Sequence, residues 1–457
     1  MTGTKAKTFA GTMRGAVLCL LVALLWSTPA AAQSTPSAAP TTTIAVQKLP
    51  PAGHTQNFDP DKATNAYLAT VSGPARERSD SYFEGGYVLL FVDALYAVAV
   101  AAFLLWLRIS ARMRNIAQGI TRHRFLQVPI YAVQYIIITT ILLFPLTLYE
   151  EFFREHTYGL SNQNFMEWFG DFGKGFGVEI IAVTIFLTIV YAVVRASKER
   201  WWAWGSIIAV LFMAVGMMIA PVFIAPLFNH YEPLKESPIK TQILSMARAQ
   251  GIPVNNVYMN DASRQSKRIS ANVSGFLGTT RVTLNDNLLN RSTPGEIKAV
   301  MGHEMGHYVL GHSTMLLIRF GLVILVGFWF VNWGFRILAG IFGGNWDVRT
   351  IDDPAGLPVV VALFSVYMLA MTPVTNTIVR TAEAQADIFG LNAAREPDGF
   401  ATVSLKLSEY RKLDPGHWEE IIFYDHPSGR SRISMAMHWK AEHLGDPDIQ
   451  AGPVSPQ

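Results

Sequence analysis

Six long apolar runs punctuate the chain, at about residues 87–107, 125–149, 175–194, 203–227, 314–341 and 356–378. Each can cross a bilayer as a helix, which takes about 20 apolar residues. One such run also fits a buried helix of a soluble protein, but four in succession before residue 228 do not. Between the fourth and fifth runs the pattern turns mixed and water-compatible. Pro238 to Gln250 reads as a helix, Val257 to Met259 as a short strand, and Ile269–Phe276 with Arg281–Leu284 as a hairpin around Gly278-Thr279. Thr293-Pro294-Gly295-Glu296 then opens another helix, with a capping box and proline at its first position. From Thr381 the chain is polar and helical to about His443, ahead of a loose Pro/Gly tail.

Composition agrees with membrane: half of the 457 residues are hydrophobic and 16% are charged. Lys5, Lys7 and Arg14 precede an apolar run from Ala16 to Trp26, and Ala30-Ala31-Ala32 then stands before Gln33 in an A-x-A pattern. This reads as a signal peptide or a signal anchor, and both place the following residues on the far side of the membrane. Residues 33 to about 82, rich in Pro, Ser, Thr and Ala without a period, read as a flexible tether. Arg108, Arg112, Arg114, Arg122 and Arg124 fill the first inter-helix loop, and Arg195, Lys198 and Arg200 fill the third, whereas the second begins with Glu150, Glu151 and Glu155. The first and third loops are therefore expected in the cytoplasm. Asp93, Glu179 and Arg319, within or near spans, need a watery or protein-lined surrounding. Cys19, the single cysteine, lies in the signal run, which leaves a mature chain without thiol ligands or disulfides. A net charge of +3 with no basic, aromatic-interleaved tract argues against nucleic acid as a partner.

The chemistry concentrates in His303-Glu304-Met305-Gly306-His307 on the helix opened by Thr293. Histidines at i and i+4 on a helix share a face and can grip one metal ion, while the glutamate can take a proton from a zinc-activated water. Without cysteine, zinc has to use nitrogen and oxygen, and a catalytic site needs a third protein ligand. His312 is one possibility. At i+5 from His307, however, it points off the ligand face of a continuous helix and reads as a polar residue at the helix end. Glu383, with Asp387 at i+4, is the other: the first can ligate while the second orients a histidine, although the same spacing also fits a solvated face.

Several separated stretches, in this order, carry a resemblance: Tyr158-Gly159-Leu160-Ser161-Asn162-Gln163, Ala225-Pro226-Leu227-Phe228-Asn229, Gly275-Phe276, Gly302 to His307, Arg380 with Glu383 and Asp387, and His426-Pro427 with Arg432. The chain resembles the type I CAAX prenyl proteases, integral-membrane zinc endopeptidases. That resemblance implies one zinc ion bound by His303, His307 and Glu383, Glu304 as general base, and Asp387 supporting the site. It also implies His426 and Arg432 close to the substrate and the tetrahedral intermediate, where a developing oxyanion wants such donors. The chain departs from the family at Ser270-Ala271, where Asn-Ala is usual, at Ala384, where an aromatic residue is usual, and in carrying a signal in place of the first membrane helix.

The expected fold is predominantly α, a polytopic membrane helical bundle with a small α+β zincin-like catalytic domain. Its parts are a signal peptide or anchor over 1–32, a flexible segment over 33–85, a four-helix membrane domain over 86–227, a zinc metallopeptidase domain over 228–445 with two further membrane helices, and a disordered tail over 446–457. The expected function is zinc-dependent cleavage of peptide or protein substrates from within a lipid bilayer, in a bacterial inner membrane with the catalytic domain on the periplasmic side. Quality-control cleavage of membrane or exported proteins is the alternative within the enzyme class. A transporter with a structural zinc site is the alternative outside it, and it leaves Glu304 without a purpose.

Overall fold

The apolar runs all become helices longer than themselves. The structure, a computed structural model, describes residues 58–274 and 280–450. The signal over 1–32, the tether up to residue 57, Gly275-Phe276, the turn at Gly278-Thr279 and the tail from residue 451 lie outside the described residues. Six membrane-length helices stand among the described residues: Pro74–Trp106, Arg124–Thr157, Phe165–Ala196, Trp201–Phe228, His312–Trp346 and Pro354–Ala394. The second contains Pro145 and the fourth Pro221, and each loosens into a π-helical turn beside its proline, at Leu148–Arg154 and Ala220–Ile224. A proline removes an amide donor and crowds the preceding turn, so a wider turn there relieves the clash.

In chain order the named helices are α1 (Pro60–Ala69), α2 (Pro74–Trp106), α3 (Ile109–Ile120), α4 (Arg124–Thr147), α5 (Phe165–Ala196), α6 (Trp201–Ile219), α7 (Pro238–Ala249), α8 (Asp286–Arg291), α9 (Pro294–Val309), α10 (His312–Trp346), α11 (Leu357–Ala394), α12 (Pro397–Leu407), α13 (His417–Phe423) and α14 (Gly429–Glu442). The sheet is small and mixed. Strands β1 (Tyr231–Pro233), β2 (Val257–Asn260), β3 (Ala271–Ser274) and β4 (Arg281–Asn285) lie in the order β1-β2-β4-β3. The hairpin reading holds for β3 and β4, which pair antiparallel, whereas β2 and β4 run parallel. β1, which ends in a proline, is an edge strand, where the missing amide donor costs no ladder bond.

Buried contacts fix which loops share an end of the bundle. α2 starts beside the C-terminal helices, where the Ser79 hydroxyl donates to the Arg411 carbonyl at 3.0 Å and the Tyr87 hydroxyl to Glu419 at 2.8 Å. It ends against the far end of α10, with Trp106 edge-on to Trp346. There the buried guanidinium of Arg114 reaches Asp347 at 2.6 Å and Asp353 at 2.7 Å, and Arg195 donates to the Arg124 carbonyl at 2.8 Å. The arginine-rich loops thus gather at the end opposite the start of α10, which directly follows the HExxH helix.

Three expectations change. The flexible segment drawn to residue 85 is helical from Pro60, because Asp59 caps α1, Leu68 buries itself against α9, α12 and α14, and the Tyr67 hydroxyl donates to Asp398. The tail drawn from residue 446 is fixed up to residue 450: Ile449 joins the same apolar cluster, and Arg395 pairs with Asp446 and Asp448. Glu150 and Glu155, read as loop residues, are buried in the helical continuation of α4. Glu155 is matched there by both arms of Arg268, at 2.7 and 3.2 Å, and by the Tyr82 hydroxyl at 2.7 Å. The Tyr158–Gln163 stretch next to it is a seam between the membrane helices and the mixed sheet region. The Asn162 amide donates to the Gln265 carbonyl at 3.1 Å, and its side chain to the Ser263 carbonyl at 2.7 Å.

Candidate functional site

Helix α9 begins as its sequence requires. The Thr293 hydroxyl accepts from the Glu296 amide at 3.3 Å, and the Glu296 carboxylate accepts from the Thr293 amide at 2.7 Å. The helix then packs on α11 through glycines. A Cβ on Gly302 would lie 2.9 Å from the Gly390 carbonyl oxygen, and one on Gly390 would lie 2.8 Å from the His303 amide nitrogen. Gly306 meets Ala386 and Phe389 in the same way, at 3.1–3.2 Å. With no side chains between them, the two backbones come close enough for the histidines of α9 to meet the carboxylates of α11.

His303 Nε2 lies 3.0 Å from His307 Nε2 and 3.2 Å from Glu383 Oε2, while His307 Nε2 lies 3.5 Å from Glu383 Oε1. Zinc about 2.0–2.1 Å from nitrogen and oxygen donors holds them roughly 3.3–3.4 Å apart when tetrahedral. The three distances, of which the two to Glu383 end on different oxygens of its carboxylate, bracket that value, and the same three residues form a group able to hold a metal ion among the described residues. His303 and Glu383 are buried, whereas the His307 side chain keeps 19% exposure at the open edge of the triangle.

The groups around the triangle orient it. His303 Nδ1 donates to Asp387 Oδ1 at 2.7 Å, which turns Nε2 inward, and Arg432 Nε donates to Asp387 Oδ2 at 2.9 Å. A second arm of Arg432 reaches Glu383 at 3.4 Å, and His426 Nε2 lies 3.2 Å from the same carboxylate oxygen. His426 Nδ1 is 2.8 Å from Asp425 Oδ1. Burial, then Arg411, pushes the His426 imidazole below its usual value. Burial raises the Asp425 carboxyl, but His426 and Arg411 outweigh it and hold it at about 2. Arg380 donates to the carbonyls of Glu420, at 2.8 Å, and of Tyr424, which anchors the segment leading into His426.

His303, His307, Glu383, Asp387, His426 and Arg432, singled out from sequence, are linked in this one chain of contacts. Glu304, beside His303 on α9, is buried. His312, read as a polar residue at a helix end, is the first residue of α10 and is buried, at 2% exposure, with Nδ1 3.0 Å from His307 Nδ1 and Nε2 3.1 Å from the Gln385 side-chain oxygen. The helix breaks at Gly311, whose φ of +64° turns the chain and brings His312 back onto His307. Sequence reading missed this role, and that of Gln385, Asp425 and the facing glycines. A glycine directly before a histidine was the available signal, since it marks a helix end rather than a continuing face.

Comparison with known proteins agrees with the geometry. The profile of peptidase family M48 matches residues 233–440, and the profile described as CAAX prenyl protease N-terminal, five membrane helices, matches residues 67–230. The uncharacterized metalloprotease YhfN of Bacillus subtilis is 28% identical over 72% of this chain and 77% of its own length. A CAAX prenyl protease 1 homolog of Oryza sativa is 24% identical over 80% of this chain and 88% of its own. The crystal structure of S. mikatae Ste24p superposes with a TM-score of 0.66 over 83% of this chain and 95% of that one, at 21% identity, which shows a shared fold. The profiles adjoin and run from the start of the helical chain to α14, so they cover the membrane helices and the site together. This integral membrane protein belongs to the CAAX prenyl protease family, within the M48 metallopeptidases.

Proposed function

We propose that the chain is a membrane-embedded zinc endopeptidase in which His303, His307 and Glu383 hold one zinc ion and Glu304 is the general base. The observation that carries this reading is the convergence of His303 Nε2, His307 Nε2 and the two Glu383 carboxylate oxygens, at 3.0, 3.2 and 3.5 Å, next to a buried glutamate. Zinc held there would supply Lewis acidity, which would bring an attacking water to a pKa of about 7 and polarise the scissile carbonyl. Glu304 takes the proton of that water and passes it to the leaving amine. Asp387 keeps His303 in the tautomer that presents Nε2. His426, held by Asp425, and Arg432 stand beside the Glu383 carboxylate, where a donor can meet the oxyanion that develops during attack. A structural zinc site would have no use for Glu304. The peptidase portion is residues 228–445, which includes two of the membrane helices, His312–Trp346 and Pro354–Ala394, beside the four that start with Pro74–Trp106.

Peptides or proteins at a membrane are the substrates. The names of the plant and yeast relatives point to prenylated C-terminal motifs. A second reading, cleavage of membrane or exported proteins, is favoured by the position of the cations. Arg108, Arg112, Arg114, Arg122, Arg124, Arg195, Lys198 and Arg200 lie at the bundle end opposite the site. The positive-inside bias puts that end in the cytoplasm and the site on the other face. In a bacterial inner membrane the site then faces the periplasm. The test is peptide cleavage by the purified chain: activity lost to a chelator and restored by stoichiometric zinc supports the proposal, and cleavage indifferent to the chelator rejects it.

A further inference from the structure

The two histidines of the triangle are oriented by unlike partners. His303 Nδ1 is met directly by the Asp387 carboxylate, 2.7 Å away. His307 Nδ1 is met by another imidazole, His312, which in turn meets the side-chain amide of Gln385. The proton order along this relay is fixed from its far end. The Gln385 Oε1 atom carries no hydrogen, so His312 Nε2 must donate to it at 3.1 Å. A neutral His312 then has its lone pair on Nδ1 and can only accept there. His307 Nδ1 must therefore be the donor across 3.0 Å, which leaves the His307 lone pair on Nε2, facing His303 and Glu383. One amide oxygen thus sets the tautomer of two rings.

The relay sits where the triangle is least enclosed. The His303 side chain has no exposure and needs no further restraint, whereas His307 keeps 19% and borders solvent. His312, at 2% exposure, lies against the His307 ring with its Nδ1 3.0 Å from the His307 Nδ1. It can do so because of Gly311, whose positive φ turns the chain between α9, which ends at Val309, and α10, which starts at His312. His312 is the first residue of membrane helix α10, and Gln385 lies on α11 between Glu383 and Asp387. The His307 ring is thereby tied to the ends of two membrane helices.

We infer that His312 and Gln385 are positioning residues for the metal site: neither reaches the ion, and together they fix the tautomer and the ring orientation of His307. The inference rests on the zinc reading above. Its test is zinc competition against a chromophoric chelator, using the full-length chain in detergent, with thermal unfolding of each metal-free form measured alongside. Removing an outer partner of a metal-bound histidine weakens affinity by about 10–100-fold. His312→Leu should fall in that range, and Gln385→Leu should weaken affinity less, since it leaves the His307 acceptor in place. His312→Gln should recover most of the affinity, because its amide oxygen can accept from His307 Nδ1. A purely structural role would instead lower the melting temperature of the metal-free chain and leave zinc affinity alone. Unchanged affinity in a folded His312→Leu would overturn the inference, as would a His312→Gln no better than leucine. Should His312→Leu fail to fold, unchanged affinity in Gln385→Leu overturns it equally. A wild-type chain that takes up no stoichiometric zinc would overturn the metal reading itself, and this inference with it.

Discussion

Gly302 and Gly390 face each other across the α9–α11 contact so closely that a Cβ on the first would lie 2.9 Å from the carbonyl oxygen of the second. Neither glycine carries chemistry, yet the contact sets the distance between the histidines of one helix and Glu383 on the other. Overpacking a tight contact costs about 1–3 kcal/mol. Gly302→Ala and Gly390→Ala are therefore expected to destabilise the fold by that amount and to weaken zinc binding as the helices move apart. Gly344→Ala, where a Cβ meets nothing within 4 Å, is the control and should change neither. Melting temperature and chelator competition on the three variants check this.

Asp387 accepts from His303 on one oxygen and from Arg432 on the other. An amide satisfies only one of these donors, because its NH2 group would point at the second. Asp387→Asn is therefore expected to lower zinc affinity by about 10–100-fold. Metal content measured after graded dialysis against a chelator is the readout, and full retention would contradict the orienting role.

The Arg268 and Glu155 side chains form a two-armed buried ion pair closed by Tyr82, joining the membrane helices to the start of β3. Removing one partner of such a pair strands a buried charge, at about 3–5 kcal/mol, whereas replacing both by apolar side chains can be neutral. Arg268→Leu should lower the melting temperature sharply, and Glu155→Leu combined with Arg268→Leu should recover most of the loss. A double variant as unstable as the single one would contradict this account of the seam.

How far the sequence foretold this arrangement differs from element to element. The six spans were legible because an apolar run of bilayer length has few other uses, and the start of α9 because Thr293 and Glu296 form a local capping box. The i,i+4 spacings of His303 with His307 and of Glu383 with Asp387 were legible for the same reason: helix geometry is local. The extent of α1 was not, because its polar composition hides Leu68, whose burial depends on α9, α12 and α14 arriving from far along the chain. Glu155 read as a loop acid because its partner, Arg268, is distant in sequence. The contact of His312 with His307 was not legible, because Gly311, with its positive φ, turns the chain into a new helix instead of continuing α9.

The position of the cations predicts sidedness. Alkaline phosphatase joined after Leu234, on the same face as the site, should be active, and green fluorescent protein joined there should be dark. The reverse pattern would place the site in the cytoplasm, alongside prenylated C-termini.

The most direct test of the central claim is Glu304→Gln, assayed for zinc and for peptide cleavage in the same preparation. The amide leaves His303, His307 and Glu383 untouched but can neither accept the proton of the water nor return it to the leaving amine. Full zinc content is predicted, with activity reduced by at least about 100-fold, the lower end of what a positioned general base contributes. A variant that keeps its zinc and still cleaves at the wild-type rate would contradict the account.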